Sequence, residues 1–147
     1  MRYSLIALGC LSILFASGCT TLPEPPDAKP SDGITEKYWK LVELRGQPVA
    51  RLEQEPHLIL KAQEGRVTGF SGCNNFTGTY TLDAASARIS FGPLAMTRKF
   101  CATGMDVERA FSEVLGEADN YSLSGDNLTL NRARMAPLAR FEAVYMQ

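Results

Sequence analysis

The sequence predicts a mainly β domain with a single amphipathic helix (α+β), folded as a small antiparallel β-barrel or a strongly curved sheet. Short β-prone segments with period-two hydrophobicity recur at the spacing of about 8–12 residues that is typical of barrels. One segment has helical periodicity, which suits a lid packed over a curved sheet. The chain from Lys37 to Gln147 also has the length of one domain, so it can form a core without a metal or cofactor.

The strands are predicted in order along this domain. The first covers 38–44, where apolar residues occupy both alternating faces: Trp39 and Leu41 on one, and Tyr38, Val42 and Leu44 on the other. Three hairpins follow, pairing 58–62 with 66–70, 78–82 with 87–91, and 121–123 with 128–130. In the last strand, 138–145, the aromatic face with Phe141 and Tyr145 is predicted to point inward.

The helix is predicted from apolar residues that recur at three- and four-residue intervals. They are Val107, Ala110, Phe111, Val114, Leu115 and Ala118. Asp106 is predicted to cap the N-terminus of this helix and to complement its dipole. Asp119 and Asn120 are predicted to end it.

Three regions are predicted along the chain. Residues 1–18 have a positive start at Arg2 and an apolar run too short to span a bilayer, which is typical of a signal peptide. The small residues before Cys19 resemble a bacterial lipoprotein box, although Ala16 stands where leucine is usual. An ordinary secreted protein cut nearby is the alternative. Residues 19–36 are proline-rich and form a predicted mobile tether, and 37–147 form the domain.

The lipoprotein box implies a location and a membrane partner. Acylation of Cys19 would attach the chain to a membrane, and Cys10 is a weaker site because almost no apolar run precedes it. Thr20 follows the acylated cysteine where aspartate would favour the inner membrane. We therefore expect an outer-membrane lipoprotein whose domain faces the periplasm.

Charge and composition argue against several classes of function. The formal net charge is -1 and no basic patch is visible, which disfavours nucleic-acid binding. The single histidine, His57, has no recognisable nucleophile or paired carboxylate to work with. We therefore expect no catalytic residues, no metal site and no cofactor.

The four cysteines of the precursor leave one pair inside the domain. Cys10 is lost with the signal peptide and Cys19 is acylated, so Cys73 and Cys101 remain. Because such proteins fold in an oxidising compartment, these two are predicted to form a disulfide. A metal site would need further ligands, and a redox dithiol usually has Cys-x-x-Cys spacing, so both alternatives are disfavoured.

Two motifs resemble a known family. They are Gly-Phe-Ser-Gly-Cys-Asn-Asn-Phe-Thr-Gly-Thr-Tyr at 69–80 and Leu-Ala-Met-Thr-Arg-Lys-Phe-Cys at 94–101, supported by Trp39-Lys-Leu, Glu108 and Leu128-Thr-Leu. Together they resemble the META domain of HslJ-like bacterial lipoproteins over residues 38 to about 141. The resemblance implies a small antiparallel β structure with one helix, and a heat-induced envelope protein associated in some bacteria with novobiocin tolerance. It implies no catalytic residues.

The motif residues have a structural and a functional interpretation. In the structural one, Asn74 and Asn75 satisfy backbone groups in a tight turn while Phe70 and Phe76 anchor it in the core. Arg98 would then pair with an acidic residue such as Glu108. In the functional one, Asn74, Asn75 and Arg98 grip a carboxylate or phosphate at the mouth of the barrel. The complete candidate set is Gly72, Asn74, Asn75, Phe76, Gly78, Thr97 and Arg98.

Three functions from different classes remain. The first is a non-enzymatic envelope stress protein, expected to be a monomer, that contacts other envelope proteins or supports the outer membrane. The second is a binder of small apolar ligands, with a pocket lined by Phe91, Phe111 and Tyr145. The third is an inhibitor that presents the loop 72–78 to an envelope protease or hydrolase.

Overall fold

A computed structural model describes residues 33–133 and 136–145. The predicted signal peptide, Cys19 and the tether up to residue 32 lie outside the described residues. The strands are β1 Tyr38–Leu44, β2 Gln47–Pro48, β3 His57–Lys61, β4 Arg66–Phe70, β5 Asn75–Asp83, β6 Arg88–Phe91, β7 Ala95–Met96, β8 Asn120–Ser124, β9 Asn127–Arg132 and β10 Ala136–Val144. The α-helix α1 is Met105–Glu117, and a 3-10 turn covers Gln63–Gly65.

Eight of the strands close into an antiparallel barrel. The order around it is β1-β3-β4-β5-β6-β8-β9-β10, and β10 pairs with β1 to complete the circle. The joint between β6 and β8 is the narrowest, with Arg88 and Asn120 as its one ladder pair. The short strands β2 and β7 add to β1 and β5 outside the circle. The three predicted hairpins are present, and the β fold with one helix is confirmed in its barrel form.

Helix α1 closes one end of the barrel. It packs against β1, β6 and β10 and inserts Phe111, which is fully buried. The ring of Phe111 contacts Phe76 edge-on at 5.8 Å and Phe141 at 5.7 Å between centroids. Such a side chain contributes about 1.5–3 kcal/mol when it leaves water, so this aromatic contact fixes the helix on the barrel.

The interior of the barrel is filled by side chains. Its largest members are fully or almost fully buried: Trp39, Leu41, Leu58, Leu60, Val67, Ile89, Leu128, Leu130 and Phe141. The indole N–H of Trp39 donates to the carbonyl oxygen of Ile34 at 2.7 Å. Ile34 is itself buried, and Glu36 accepts a hydrogen bond from the backbone N–H of Ala62. Ile34 and Glu36, which the sequence assigned to the tether, therefore belong to the folded domain.

The register of β1 differs from the strict alternation predicted for it. The pairing with β10 shifts between Leu41 and Glu43, so Val42 is an extra residue in a β-bulge. The bulge turns Leu44 to the same side as Trp39, and Leu44 is buried. The prediction that Leu44 faces away from Trp39 was wrong for this reason.

Two further details correct the sequence prediction. Asp106 does not cap the helix, because Gly104 occupies the N-cap position with φ +87° and Asp106 lies in the first turn. Tyr145 does not point inward. It follows the end of β10, is 48% exposed, and its hydroxyl donates to the Asp126 carboxylate at 2.5 Å.

Candidate functional site

The two sequence motifs meet at the helix-capped end of the barrel. Residues 71–74 link β4 to β5, and residues 97–104 link β7 to α1. Cys73 and Cys101 join the two segments in a disulfide across a separation of 28 residues. We call these two linked segments, residues 71–74 and 97–104, the corner.

Asn74 is the centre of the corner. It is 3% exposed, and its Oδ1 accepts hydrogen bonds from the backbone N–H of Lys99 at 2.7 Å and from Thr97 Oγ1 at 2.8 Å. Its Nδ2 donates to the carbonyl oxygen of Lys99 at 3.2 Å and to Glu108 Oε1 at 3.1 Å. Because Lys99 offers a donor on one side and an acceptor on the other, the orientation of the amide is fixed. All of its hydrogen-bonding groups are used inside the protein.

Glu108 joins the helix to the corner. Its Oε2 accepts from the backbone N–H of Asn74 at 2.7 Å and lies 2.9 Å from Ser71 Oγ. That hydroxyl is also 2.8 Å from the carbonyl oxygen of Asn74, so its single proton serves one of the two acceptors. A carboxylate in the first turn of a helix also complements the helix dipole.

Glu108 does not pair with Arg98 as the sequence suggested. Its carboxylate is occupied by Ser71 and Asn74, while Arg98 is exposed. Within residues 33–133 and 136–145, Arg98 makes no ion pair. The partners of Glu108 were missed because residue spacing does not reveal which groups a loop brings together.

Two glycines allow the segments to approach. Gly72 has φ +122° and Gly104 has φ +87°, both in the region that side chains rarely adopt. A Cβ on Gly104 would lie 2.2 Å from the carbonyl oxygen of Gly72, and one on Gly72 would lie 2.8 Å from that of Gly104. The start of α1 can therefore rest on the corner only because both residues lack side chains.

The predicted site residues fall into two groups. Gly72, Cys73, Asn74 and Phe76 are buried and Gly78 is half-buried, whereas Asn75, Thr97 and Arg98 are exposed. The backbone N–H of Asn75 donates to Thr97 Oγ1 at 3.2 Å, and the N–H of Thr97 donates back to the Asn75 carbonyl oxygen at 3.0 Å. The structure thus brings the two motifs together, but it separates Asn74 from the solvent-facing Asn75 and Arg98.

Two further functions were considered: binding of an apolar ligand, which needs an enclosed pocket, and inhibition of an enzyme, which needs an exposed loop. Phe111 is fully buried in the filled core, Phe91 is half-buried and Tyr145 lies outside, so these three do not line one cavity. In the loop 72–78, Asn75 is the one polar side chain at the turn that is exposed, and its neighbours Asn74 and Phe76 point inward. Neither arrangement favours an apolar pocket or a presented inhibitory loop.

The far end of the helix is held by charge. Arg45, just after β1, donates to Glu117 at 2.7 Å, and its guanidinium lies 3.6 Å from Glu113. The hydrogen bond from Arg45 lowers the pKa of Glu117, with smaller contributions from the charges of Arg45 and Arg132. The helix is therefore tied to the barrel at both ends, by Glu108 at the start and by Glu117 at the finish.

Another titratable group lies beside the barrel wall. His57 stacks on Tyr38 at 4.2 Å between ring centroids, and burial lowers the pKa of this histidine.

In the described part of the chain, no helix is long and apolar enough to cross a membrane.

Solved structures with the same fold give an independent comparison. An NMR structure of a protein from Burkholderia xenovorans is 22% identical with a TM-score of 0.60, covering 85% of this chain and 100% of the other. A crystal structure of a DUF4847 family protein from Bacteroides vulgatus is 16% identical with a TM-score of 0.58, covering 78% and 96%. A further NMR structure, 26% identical with a TM-score of 0.57, covers 74% and 91%. At such identities the first two show the fold alone.

The comparison with curated protein sequences gives no match. The family model of the META domain matches residues 32–145, which include the whole barrel, the helix and both motifs of the corner. The chain belongs to the META domain family.

Proposed function

We propose that the protein is a lipid-anchored, non-enzymatic component of the bacterial cell envelope that supports the envelope under stress, including exposure to novobiocin-type antibiotics. Membership of the META domain family supports an HslJ-like role of this kind. The signal-like residues 1–18 and the lipoprotein box at Cys19 support export and acylation.

The use of the motif residues inside the protein carries this proposal. The side chains of Asn74 and Glu108 use their hydrogen-bonding groups on each other and on neighbouring groups inside the protein. Those groups are Ser71, Thr97 and the backbone of Lys99 and of Asn74 itself. A catalytic or ligand-binding amide or carboxylate needs free valences directed at a substrate. These residues instead join the helix to the barrel, so the motif supports the stability of the domain.

The first residues of the chain support a location at a membrane. An acyl chain on Cys19 would attach it to a membrane, and Thr20 favours the outer membrane with the domain in the periplasm. The disulfide between Cys73 and Cys101 suits this oxidising compartment. We expect a monomer that acts beside other envelope proteins.

Complementation of a gene deletion tests the proposal. The deletion strain should become sensitive to heat and to novobiocin, and the wild-type chain should restore tolerance. Cys19→Ser should fail to restore it because the anchor is lost, whereas Cys10→Ser, in the same signal region, should restore it fully. Mass spectrometry of the amino terminus measures acylation directly. Unchanged tolerance in the deletion strain would refute the stress role, and an unmodified amino terminus would refute the anchor.

A further inference from the structure

Phe100 is an exposed aromatic residue at the corner. The residue is 89% exposed, whereas the other exposed large hydrophobic residues of the described chain are 40% to 48% exposed. Arg98 and Lys99 immediately precede it and are also exposed. We call Arg98, Lys99 and Phe100 the tip.

The tip is mounted on a fixed backbone. The N–H and the carbonyl oxygen of Lys99 are both bonded to the side chain of Asn74. Cys101, on the other side of Phe100, is tied to Cys73 by the disulfide. Because the backbone is held on both sides, it cannot move toward the barrel at Phe100 without breaking these bonds. The position of the Phe100 backbone is therefore set by the fold, and from it the tip presents an exposed ring to an apolar partner.

The charges around the tip have no counter-ions in the described part of the chain. Arg98 and Lys99 form no ion pair there, while Lys40, Arg45 and Lys61 elsewhere on the surface all do. The adjoining groove contains a further cation, Arg109, and the apolar Met96 and Met105. Of the two acidic residues in that groove, Asp106 and Glu108, the second is bonded to Asn74. Arg98, Lys99 and Arg109 against Asp106 and Glu108 leave one net positive charge beside the protruding ring of Phe100.

We propose that the tip binds the surface of an anionic lipid bilayer, with Phe100 inserted among the acyl chains and Arg98 and Lys99 at the phosphates of the headgroups. A single protruding ring flanked by cations fits a deformable surface with diffuse negative charge, because such a surface needs no matching pocket. The proposal rests on the envelope location proposed above, but not on the stress role.

The length of the chain before the barrel allows this contact. Glu36 bonds Lys61 and Ala62 at one end of β3, whereas Phe70, which leads into the corner, pairs with His57 at the other end. The N-terminal chain and the tip are therefore separated by the length of β3, which is about 17 Å for five residues. Residues 20–33 can extend to about 43 Å, so Cys19 and the tip can reach the same bilayer.

The test uses the acylated full-length mature protein in vesicles and the variant Phe100→Trp. The vesicles contain phosphatidylethanolamine and phosphatidylglycerol at 3:1, or phosphatidylcholine alone. In the vesicles that contain phosphatidylglycerol, the emission of the introduced indole should shift to the blue and be quenched by brominated lipid. The native Trp39 is fully buried and adds a constant background. In vesicles of phosphatidylcholine alone, neither the blue shift nor the quenching should occur, because the attraction to anionic headgroups is missing.

Further variants separate charge from simple contact. Arg98→Gln and Lys99→Gln should each reduce the inserted fraction of the Phe100→Trp ring by roughly fivefold at low salt, whereas Arg140→Gln on the barrel wall should not. Val144→Trp places a ring at another exposed apolar position and should stay unquenched. Each variant should fold, because the substituted residues are exposed, and circular dichroism checks this.

The results distinguish insertion of the tip, recognition of lipid charge and attachment by the acyl anchor. An unshifted, unquenched Phe100→Trp in phosphatidylglycerol vesicles overturns the tip proposal while the acyl anchor still holds the protein on the vesicle. Equal insertion in both lipids overturns the charge recognition. If the protein carries no acyl group, the anchor is refuted, and the same vesicles titrated into the free protein test the tip. A protein partner that protects Phe100 while lipid does not would also overturn the lipid proposal.

Discussion

The bond between Glu108 and the corner can be tested by Glu108→Gln. The carboxylate accepts from the N–H and the Nδ2 of Asn74 and lies within hydrogen-bond distance of Ser71 Oγ. Hydrogen bonds to a charged group contribute about 1.5–3 kcal/mol each. Glutamine retains one acceptor oxygen, and its NH2 must face at least one of these donors. Since the site is partly exposed, we expect a loss of about 2 kcal/mol in the free energy of unfolding.

Urea denaturation with the disulfide intact measures this loss, and it corresponds to a decrease of about 8 °C in Tm for a domain of this size. The matched control is Glu113→Gln on the same helix, where the carboxylate is 54% exposed and lies 3.6 Å from Arg45. That change should cost less than about 0.5 kcal/mol. If Glu108→Gln is as stable as the control, the corner does not hold the helix to the barrel and the structural role of the motif is refuted.

Three other predictions concern stability. Replacing both Cys73 and Cys101 by serine should cost about 3.6 kcal/mol by the loop-entropy formula for a separation of 28, measured by urea midpoint; an unchanged midpoint would contradict it. Burial lowers the pKa of His57, so the unfolded chain binds a proton at a higher pH than the folded chain, and stability should fall as pH decreases below about 6.5. His57→Gln should flatten the stability profile between pH 5 and pH 7, and an identical slope would refute the assignment. Gly104→Ala should destabilise by about 1–3 kcal/mol because of its positive φ and a facing oxygen, whereas Gly116→Ala, helical with open space, should stabilise by about 0.5–1 kcal/mol. Calorimetry giving the same sign for both would contradict this.

Local patterns were enough to predict most of the strands and the helix. Turn residues between alternating apolar segments located the hairpins, and the 3.6-residue period located Phe111 and its neighbours on the buried face. The bulge at Val42 was not predictable, because its cause is the pairing of β1 with β10, almost 100 residues away. One inserted residue reverses every later side chain of a strand, so Leu44 was assigned to the wrong face.

The sequence indicated which two motifs meet at the corner, but not how their side chains are connected. The sequence indicated that the motifs of Cys73 and Cys101 meet, since an oxidising compartment leaves few other uses for that pair. It did not indicate that Asn74 is buried while Asn75 is exposed. That difference depends on the backbone groups of Lys99 and the carboxylate of Glu108, which the chain brings together only in the folded state.

The corner links the attachment of α1 to the position of Phe100. Asn74 accepts or donates the hydrogen bonds that hold α1 on the barrel. The same side chain fixes the backbone of Lys99, next to Phe100. A domain that only needed stability could have folded this aromatic ring inward, where burial would add about 1.5–3 kcal/mol. The exposed ring of Phe100, between the bonded Lys99 and the disulfide of Cys101, does not contribute that gain. The corner therefore does two things at once: it attaches α1 to the barrel, and it fixes the backbone on which the proposed bilayer contact depends.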